Sequence, residues 1–467
     1  MVKVTKKLKS FPAPISLFRL MGPSFVLLAL GLGSGELILW PYLVANYGLG
    51  IAWGAALGIT FQYFMNMEIE RYALVKGESV FVGFAKIFKW APYWFIISTF
   101  IGFGLPGIIA SSAQILAHLL GLSDFKLLAI VLLLLIGIIL SVGKTVYGMM
   151  ERITKTIIFI GVPVLFILTF YLVKNNHVAG LFRGLVGQGV DFNWLPSGIS
   201  LATFLAAFAY AGAGGNLNLT QSIYVKEKGY GMGKYSQKIS GLFAKRNGEQ
   251  NIKLSGEPFA ANAHNIANFH KWWRRINLEH LLVFWLVGLT AMCLLMLLSY
   301  VSAYGQAGNA QGINFIINEA LQIGRQLAPV VGSWFLLVVG VMLFQTQLSI
   351  MDSTSRIMAE NSALKQMEHR QTNKIKLSKI YYIFVWSQIA FGVLLFSFNI
   401  YEPKTLIVAG AVINAVAMFV HVGLTLALNR RALSAPFRPP VWRQLIMLII
   451  FLFFGLFSGV TLWNQFF

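Results

Sequence analysis

Long apolar segments separated by short polar ones run through most of this chain. A helix needs roughly 17–25 apolar residues to cross a bilayer, and about eleven segments reach or approach that length. We place these spans, in chain order, at 18–44, 51–72, 92–119, 127–142, 154–172, 201–224, 281–304, 327–358, 380–398, 405–428 and 445–463. The pattern predicts an all-α integral membrane protein.

Glycine interrupts the first and the sixth span near the middle of the bilayer, at 31–36 (GLGSGE) and 210–218 (YAGAGGNLN). Each glycine costs about 1 kcal/mol in a helix relative to alanine. Backbone released from a helix at this depth must be satisfied by protein, water or a bound solute. Paired breaks in corresponding positions of two halves indicate the substrate site of a secondary transporter.

The positions of the breaks also predict the domain organisation. Each broken span begins a group of five, at 18–172 and 201–428, which predicts two repeats of opposite orientation. An eleventh helix occupies 441–467. We expect 1–17 to be a cytoplasmic segment and 225–277 to be a solvated cytoplasmic loop whose end, 270–275 (HKWWRR), anchors at the headgroups.

The charge of the chain reports its topology. Only 11% of the 467 residues are charged, against about 25% in a soluble protein. With a cytoplasmic amino terminus, 32 of the 37 lysines and arginines fall on the inner side, as the positive-inside rule requires. The other five are Lys126, Lys174, Arg183, Arg325 and Lys404. We therefore expect a plasma or inner membrane location with an outward carboxyl terminus, and no nucleic-acid partner despite the net charge of +21.

Two further classes of function find no support in the sequence. Cys293 is the only cysteine, so neither a disulfide within the chain nor a cysteine-rich metal site is available. No nucleophile–base pair or metal-enzyme motif is visible, and we predict neither an enzyme nor a cofactor.

Glu36 is the main candidate for chemistry. A carboxylate near the bilayer centre costs about 2.5–3.5 kcal/mol on insertion scales, so it implies a partner or a watery cavity. It is either a cation ligand or protonatable gate, or a structural acid paired with a buried donor. Oxygen ligands favour Mg²⁺ or Mn²⁺ over softer metals. We assign Glu36 and Asn216 as metal ligands, and the wider substrate site as Gly33, Ser34, Glu36, Tyr210, Ala213, Asn216, Asn218 and Gln345.

Several polar residues elsewhere in the spans admit more than one interpretation. In the eighth span, Gln345, Gln347 and Asp352 either line a pathway or, for Asp352, mark the cytoplasmic edge. In the tenth span, Asn414 and His421 lie on one helical face, and we favour a buried, hydrogen-bonded packing role. At the end of the second span, we favour interfacial anchoring over an ion-pair network for Glu68, Glu70 and Arg71.

Short motifs in several spans carry a family resemblance. Residues 22–25 (GPSF) resemble the Gly-Pro-Gly-Phe that enters helix 1 of the Nramp family of divalent-metal transporters, and 62–63 (QY) match its Gln-Tyr in helix 2. Residues 216–219 (NLNL) are similar to its Asn-Leu-Tyr-Leu in helix 6. The likeness is diffuse but extends over spans 1–10. It implies the LeuT-type fold, with two inverted five-helix repeats and here an eleventh helix.

The departures from that family concern its metal site. The helix 1 motif Asp-Pro-Gly-Asn falls on 33–36 (GSGE), so the Asp ligand becomes Gly33 and the Asn ligand becomes Glu36. The helix 6 Met that contacts transition metals falls on Ala213. By the same resemblance, the acidic pair of helix 3 falls on Gly104 and Gly107, and the helix 10 Gln of the site falls on Gly410. Nramp-related magnesium transporters show comparable losses.

These observations predict a monomeric carrier of a divalent metal ion in a lipid bilayer, with Mg²⁺ or Mn²⁺ as substrate and weak or no proton coupling. The alternative is a carrier of an amino acid or a small organic cation. Residues 33–35 (GSG) also look like the Gly-Ser-Gly that holds a substrate carboxylate in amino-acid permeases of the same fold. An ionised Glu36 beside that segment would repel a carboxylate, which argues for a cation or an amine.

Overall fold

The computed structural model describes residues 8–16, 20, 22–31, 33–142, 146–243 and 249–466. Its helices up to the sixth span are α1 Pro23–Gly31, α2 Trp40–Tyr47, α3 Ala52–Lys76, α4 Val80–Ile87, α5 Ala91–Gly104, α6 Gly107–Leu119, α7 Lys126–Val142, α8 Val146–Leu172, α9 Asn175–Leu185, α10 Leu201–Ala209 and α11 Thr220–Lys228. The later ones are α12 Ala263–His280, α13 Val287–Ala303, α14 Asn314–Gln326, α15 Pro329–Arg370, α16 Leu377–Ser397, α17 Pro403–Ala432 and α18 Val441–Phe466. Two short strands, β1 Gln250–Asn251 and β2 Lys374–Ile375, pair antiparallel.

Every predicted span contains helix within its described part. Six helical segments in the described residues are long and apolar enough to cross a membrane, and the eighth span extends as far as Arg370. α8 and α9 form a further candidate that bends by 111° between 172 and 175. The first and sixth spans fall short of the required length because they are broken, and α3 carries charged residues at its end.

The first span is divided into α1, a π-helix at Ser34–Leu39, and α2. Single π-turns inside a helix are found mostly at functional sites. The sixth span is divided into α10, an irregular stretch, a 3₁₀ turn at Gly215–Leu219, and α11. Here Gly214 and Gly215 have φ of +74° and +50°, a region that glycine enters without steric cost. Both breaks overlap the predicted stretches, although the π-helix extends three residues beyond the first stretch and the 3₁₀ turn one residue beyond the second.

A third interruption was not predicted. The third span stops at Gly104 and restarts at Gly107, with Leu105 in extended conformation. Pro106 has no backbone N–H and disfavours helical conformation in the residue before it, which accounts for the break. A proline between two glycines was the available sequence signal.

The predicted cytoplasmic loop 225–277 contains ordered structure. Strand β1 and helix α12 belong to it, and Ile252 and Phe269 are buried. The predicted headgroup anchor is wrong for Trp272, which is 1% exposed and donates its indole N–H to the carbonyl of Pro12 at 2.9 Å. The described part of the amino-terminal segment covers this tryptophan.

An ion-pair network occupies the end of the bundle that we predict to face the cytoplasm. Glu68 accepts hydrogen bonds from Arg71 at 2.7 Å and from Arg443 of α18 at 2.6 Å. Glu68 and Arg71 are at most 2% exposed. The preference for interfacial anchoring at these two residues was therefore wrong, because α18 and α12 pack over the end of α3 and remove its charged residues from the interface.

Candidate functional site

The two broken spans contact each other at their breaks. A Cβ placed on Gly35 would lie 1.7 Å from the backbone oxygen of Tyr210, so only glycine allows this approach. A Cβ on Gly31 would lie 2.8 Å from the carbonyl carbon of Gly212. The glycines predicted from sequence as the site of substrate binding therefore bring two backbone segments together.

Glu36 lies at this contact. It is the third residue of the π-helix and is completely buried. Neither carboxylate oxygen has a hydrogen-bond partner, and the backbone amides of Gly33 and Glu36 itself are the polar groups that face them. The interpretation of Glu36 as an acid paired with a buried side-chain donor has no support from its surroundings.

Oxygen atoms from several elements converge beside the first break. A Cβ on Gly31 would lie 3.0 Å from the carbonyl oxygen of Gly212 and 3.1 Å from Oε1 of Glu36. A Cβ on Gly33 would lie 2.8 Å from Oγ1 of Thr346 on α15. Carbonyl, hydroxyl and carboxylate oxygens are the ligands that Mg²⁺ and Ca²⁺ prefer. Thr346 was not predicted, although it lies between Gln345 and Gln347, the two polar residues that the sequence singled out in the eighth span.

Side chains of other helices hold the second break. Gln62 on α3 donates to the carbonyl of Ala209 at 3.0 Å and accepts from the amide of Gly214 at 3.2 Å. On α17, Nε2 of His421 lies 3.1 Å from the carbonyl of Gly215. Asn414, also on α17, donates to the hydroxyl of Tyr210 at 2.9 Å. The predicted packing role of Asn414 and His421 is confirmed.

Asn216 and Asn218 lie in the 3₁₀ turn after the second break, and both are fully buried. The amide nitrogen of Asn216 donates to Ser98 at 2.8 Å and to Thr99 at 2.9 Å on α5. These bonds fix the side chain, and Oδ1 of Asn216 has no partner. Both polar atoms of Asn218 also lack a partner.

The remaining predicted residues are distributed on both sides of the contact. Ser34 and Ala213 are buried within the two breaks. Gln345 on α15 donates to Ser349 of the same helix at 2.8 Å. Its neighbour Gln347 lines a small cavity together with Tyr210, Phe103, Ile108, Ile407 and Gly410. Gln347, and not the predicted Gln345, therefore lines the cavity beside the second break.

Asp352, whose role the sequence left open, is paired. Its carboxylate accepts from Arg356 at 2.9 Å and from the hydroxyl of Tyr381 at 2.6 Å. Within the described ranges, no group of three or more His, Cys, Asp or Glu side chains is placed to hold a metal ion. Any cation at the breaks would therefore be held by one carboxylate together with carbonyl, hydroxyl or amide oxygens.

Comparisons with known proteins extend this picture. No protein-family description and no curated protein matches the sequence. Among solved structures, a mutant of the manganese transporter of Eremococcus coleocola is similar, with a TM-score of 0.69 and 13% identity, over 99% of this chain and 91% of that one. The same transporter with a bound aromatic bis-isothiourea compound gives 0.66 at 12% identity, over the same shares.

MhsT in complex with L-phenylalanine aligns with 95% of this chain and 98% of its own, at a TM-score of 0.47 and 14% identity. At 13% identity, the likeness to the manganese transporter establishes the fold and leaves the substrate open. The chain is a multi-pass membrane protein with the LeuT-type fold of transporters, built from two inverted five-helix repeats and an eleventh helix.

Proposed function

We propose that this protein carries a divalent metal cation, Mg²⁺ or Mn²⁺ in preference to softer metals, across the membrane. The observation that supports the proposal most is the fully buried and unpartnered carboxylate of Glu36 at the contact of the two breaks. An ionised carboxylate in such surroundings needs a counter-charge. A cation that shares it with nearby backbone oxygens supplies that charge.

Asn216 is proposed as the second ligand through Oδ1, which its bonds to Ser98 and Thr99 leave unpartnered. One carboxylate and neutral oxygens form a weak site, which suits a cation that must also be released. The glycines at the breaks bring the carbonyl oxygen of Gly212 close to Oε1 of Glu36, and oxygens of these kinds suit Mg²⁺ or Mn²⁺. The Mn²⁺ carried by the Eremococcus coleocola relative belongs to the same class of ion.

Uptake into proteoliposomes tests this proposal, with the protein reconstituted as a monomer and Mn²⁺ or Mg²⁺ outside. Glu36→Gln keeps the size of the side chain and removes its charge, and we expect uptake to fall at least about a hundredfold, or about 2.8 kcal/mol. Glu319→Gln is the matched control, because Glu319 on α14 is also buried but is not part of either break. Wild-type uptake by Glu36→Gln would remove Glu36 from the site.

Transport is further proposed to proceed without an obligatory proton gradient, inward from outside a plasma or inner membrane with the amino terminus in the cytoplasm. The third span has no acidic residue, and Gly104 and Gly107 flank its break. We expect similar initial rates of Mn²⁺ uptake with and without an inward proton gradient. Uptake driven several-fold by that gradient would contradict this part of the proposal.

A carrier of an amino acid or a small organic cation is the second candidate. The cavity beside Tyr210 supports it through the apolar side chains of Phe103, Ile108 and Ile407, but the cavity has room for little more than a water molecule and would have to widen to admit an organic side chain. Calorimetry with Mn²⁺, Mg²⁺ and a panel of amino acids and amines separates the two. Heat of binding from an organic solute, and none from either metal, would favour the second candidate.

A further inference from the structure

The short helix α1 is held at its first turn by the end of α12. The break after Gly31 separates this nine-residue helix from the rest of the first span, so its position depends on lateral contacts. Ser24, which is fully buried, donates its hydroxyl to Oε2 of Glu279 at 2.5 Å and lies 2.7 Å from Nδ1 of His280. The backbone amide of Gly22 faces the same carboxylate.

The number of available protons fixes which atom donates in each hydrogen bond among Ser24, Glu279 and His280. A serine hydroxyl has one proton, and here it is donated to Glu279. Nδ1 of His280 must then be the N–H that donates to Ser24, which leaves Nε2 as a bare acceptor. Nε2 of His280 and Oε1 of Glu279 are both buried without a partner. The hydrogen-bonded group of Ser24, Glu279 and His280 therefore contains two unsatisfied acceptors and can take up a proton.

The groups around Ser24, Glu279 and His280 are not suited to bind a metal ion. The ring of His280 is stacked between Tyr63 of α3 at 5.6 Å and Phe284 at 4.7 Å. Within the described residues, no trio of His, Cys, Asp or Glu could hold a metal here. Because aromatic rings stack on the imidazole and Nε2 is buried, the ligand that fits is the proton.

Charged and titratable groups of the neighbouring helices lie near Ser24, Glu279 and His280. Glu70 of α3 acts electrostatically on Glu279, and it is itself bound at 3.2 Å by Gln221 of α11. Arg443 of α18 acts on His280 and donates to Asn277, the acceptor also used by Tyr63. Lys228 of α11 lies against Gly22, where a Cβ would be 3.8 Å from its Nζ.

We propose that Ser24, Glu279 and His280 form a proton-binding latch that holds α1 against the end of α12 and releases it on protonation. A proton added at Nε2 of His280 lets Nδ1 pass its proton to Ser24, and Ser24 passes its own to Glu279. The three side chains together gain one proton, and only N–H and O–H bonds are formed or broken. No oxidant, reductant or other reactant takes part.

The release follows from the charge at the helix terminus. Before protonation, the carboxylate of Glu279 lies at the amino terminus of α1, where the helix dipole and the Gly22 amide stabilise a negative charge. After protonation the group is neutral and that attraction is lost. α1 then separates more readily from α12 and opens the end of the bundle that we predict to face the cytoplasm. The latch acts on α1 whatever solute is carried.

Thiol labelling in membrane vesicles tests the latch without any transport measurement. Cys293→Ala removes the native thiol, and Leu27→Cys places a reporter on α1, where Leu27 is fully buried. The pH is set equal on both sides, and rates are corrected for the thiolate fraction of a reporter peptide. We expect labelling to accelerate by about fivefold or more between about pH 8 and about pH 6, since this is the lower end of usual allosteric coupling.

Two variants and one control decide the outcome. Glu279→Gln mimics the protonated carboxyl, and we expect fast labelling with no pH dependence. Ser24→Ala deletes one hydroxyl, perturbs folding least, and is expected to label fast at about pH 8 as well. Glu319→Gln, a buried acid on α14, is expected to keep the parent profile. A flat profile in the parent, or the parent profile in Glu279→Gln or Ser24→Ala, would overturn the proposal.

Discussion

The two breaks are built in opposite ways. At the second break, Gln62, Asn414 and His421 come from other helices and satisfy the released backbone groups or the adjacent tyrosine. At the first break, the side chain of Glu36 is buried without a partner. Buried polar groups are almost always paired, and an exception needs an explanation. The second break is thus a fixed wall, and the first carries the unsatisfied charge.

This difference predicts a structural role for the second break and a binding role for the first. The wall is stabilised by neutral hydrogen bonds between protein groups, and it leaves Oδ1 of Asn216 and both polar atoms of Asn218 without a partner. The first break leaves one acceptor group open, and its short helix α1 is attached by lateral contacts at Ser24. We therefore expect loss of the Gln62 side chain at the second break to act on stability, and loss of the Glu36 charge at the first break to act mainly on binding.

The largest expected effect comes from Gly35→Ala, which would break the contact itself. The added Cβ would meet the backbone oxygen of Tyr210, which has no flexible end that could move away. We expect the free energy of unfolding in detergent to fall by about 3 kcal/mol or more, at the upper end of overpacking costs. Gly459→Ala in α18 has open space around it and is expected to be neutral or stabilising. Equal stability of the two variants would contradict so close a contact between the two breaks.

Gln62→Leu is expected to have the next largest effect, because it removes the clamp on the second break. The amide of Gly214 and the carbonyl of Ala209 would both lose their partner in a buried position. Each orphaned group costs about 1–3 kcal/mol, and at the lower end of that range for both groups thermal unfolding should show a loss of about 2 kcal/mol. A loss below about 0.5 kcal/mol would show that the second break does not depend on this side chain.

Glu36→Gln should change stability in the opposite direction. Replacing an unpartnered buried carboxylate by a neutral amide lowers the cost of burial, and we expect the metal-free protein to gain about 1 kcal/mol. Thermal unfolding in the presence of a chelator measures this gain, and the uptake assay measures the accompanying loss of transport. A destabilisation as large as that of Gln62→Leu would mean that Glu36 is a structural acid after all.

Asn216→Ala has the smallest expected effect and asks whether the second break also supplies a ligand. The variant loses the bonds to Ser98 and Thr99, which should cost about 1 kcal/mol of stability. If Oδ1 also binds the cation, KM for Mn²⁺ uptake should rise about tenfold, the equivalent of about 1.4 kcal/mol. An unchanged KM together with lower stability would confine Asn216 to the wall.

Much of this architecture could be predicted because membrane helices carry their signal locally. The spans follow from the length of apolar segments, and both breaks follow from clusters of glycine. The predicted packing of Asn414 and His421 followed from their seven-residue spacing, which places them on one face of α17. The third break at Pro106 had an equally local signal, proline between two glycines, that was not used.

Other features depend on partners that are distant along the chain. Glu68 and Arg71 are charged residues at a helix end, which usually anchor at the interface, and only the packing of α18 places Arg443 against Glu68. Trp272 lies in the stretch 270–275, whose tryptophans and basic residues are typical of a headgroup anchor, but the segment that contains Pro12 covers this tryptophan. Gln345 and Gln347 are two residues apart, and only the placement of α15 decides that Gln347 reaches the cavity.

The sequence by itself determined that this chain is a bundle of membrane helices with two glycine breaks and one acid at a break, because hydropathy and glycine content act over a few residues. Only the tertiary structure decided that the breaks touch, that the second is clamped by Gln62, and that Glu36 is left without a partner. Pairing in a low-dielectric interior depends on which distant side chain arrives within about 3 Å, and that distance is set by packing.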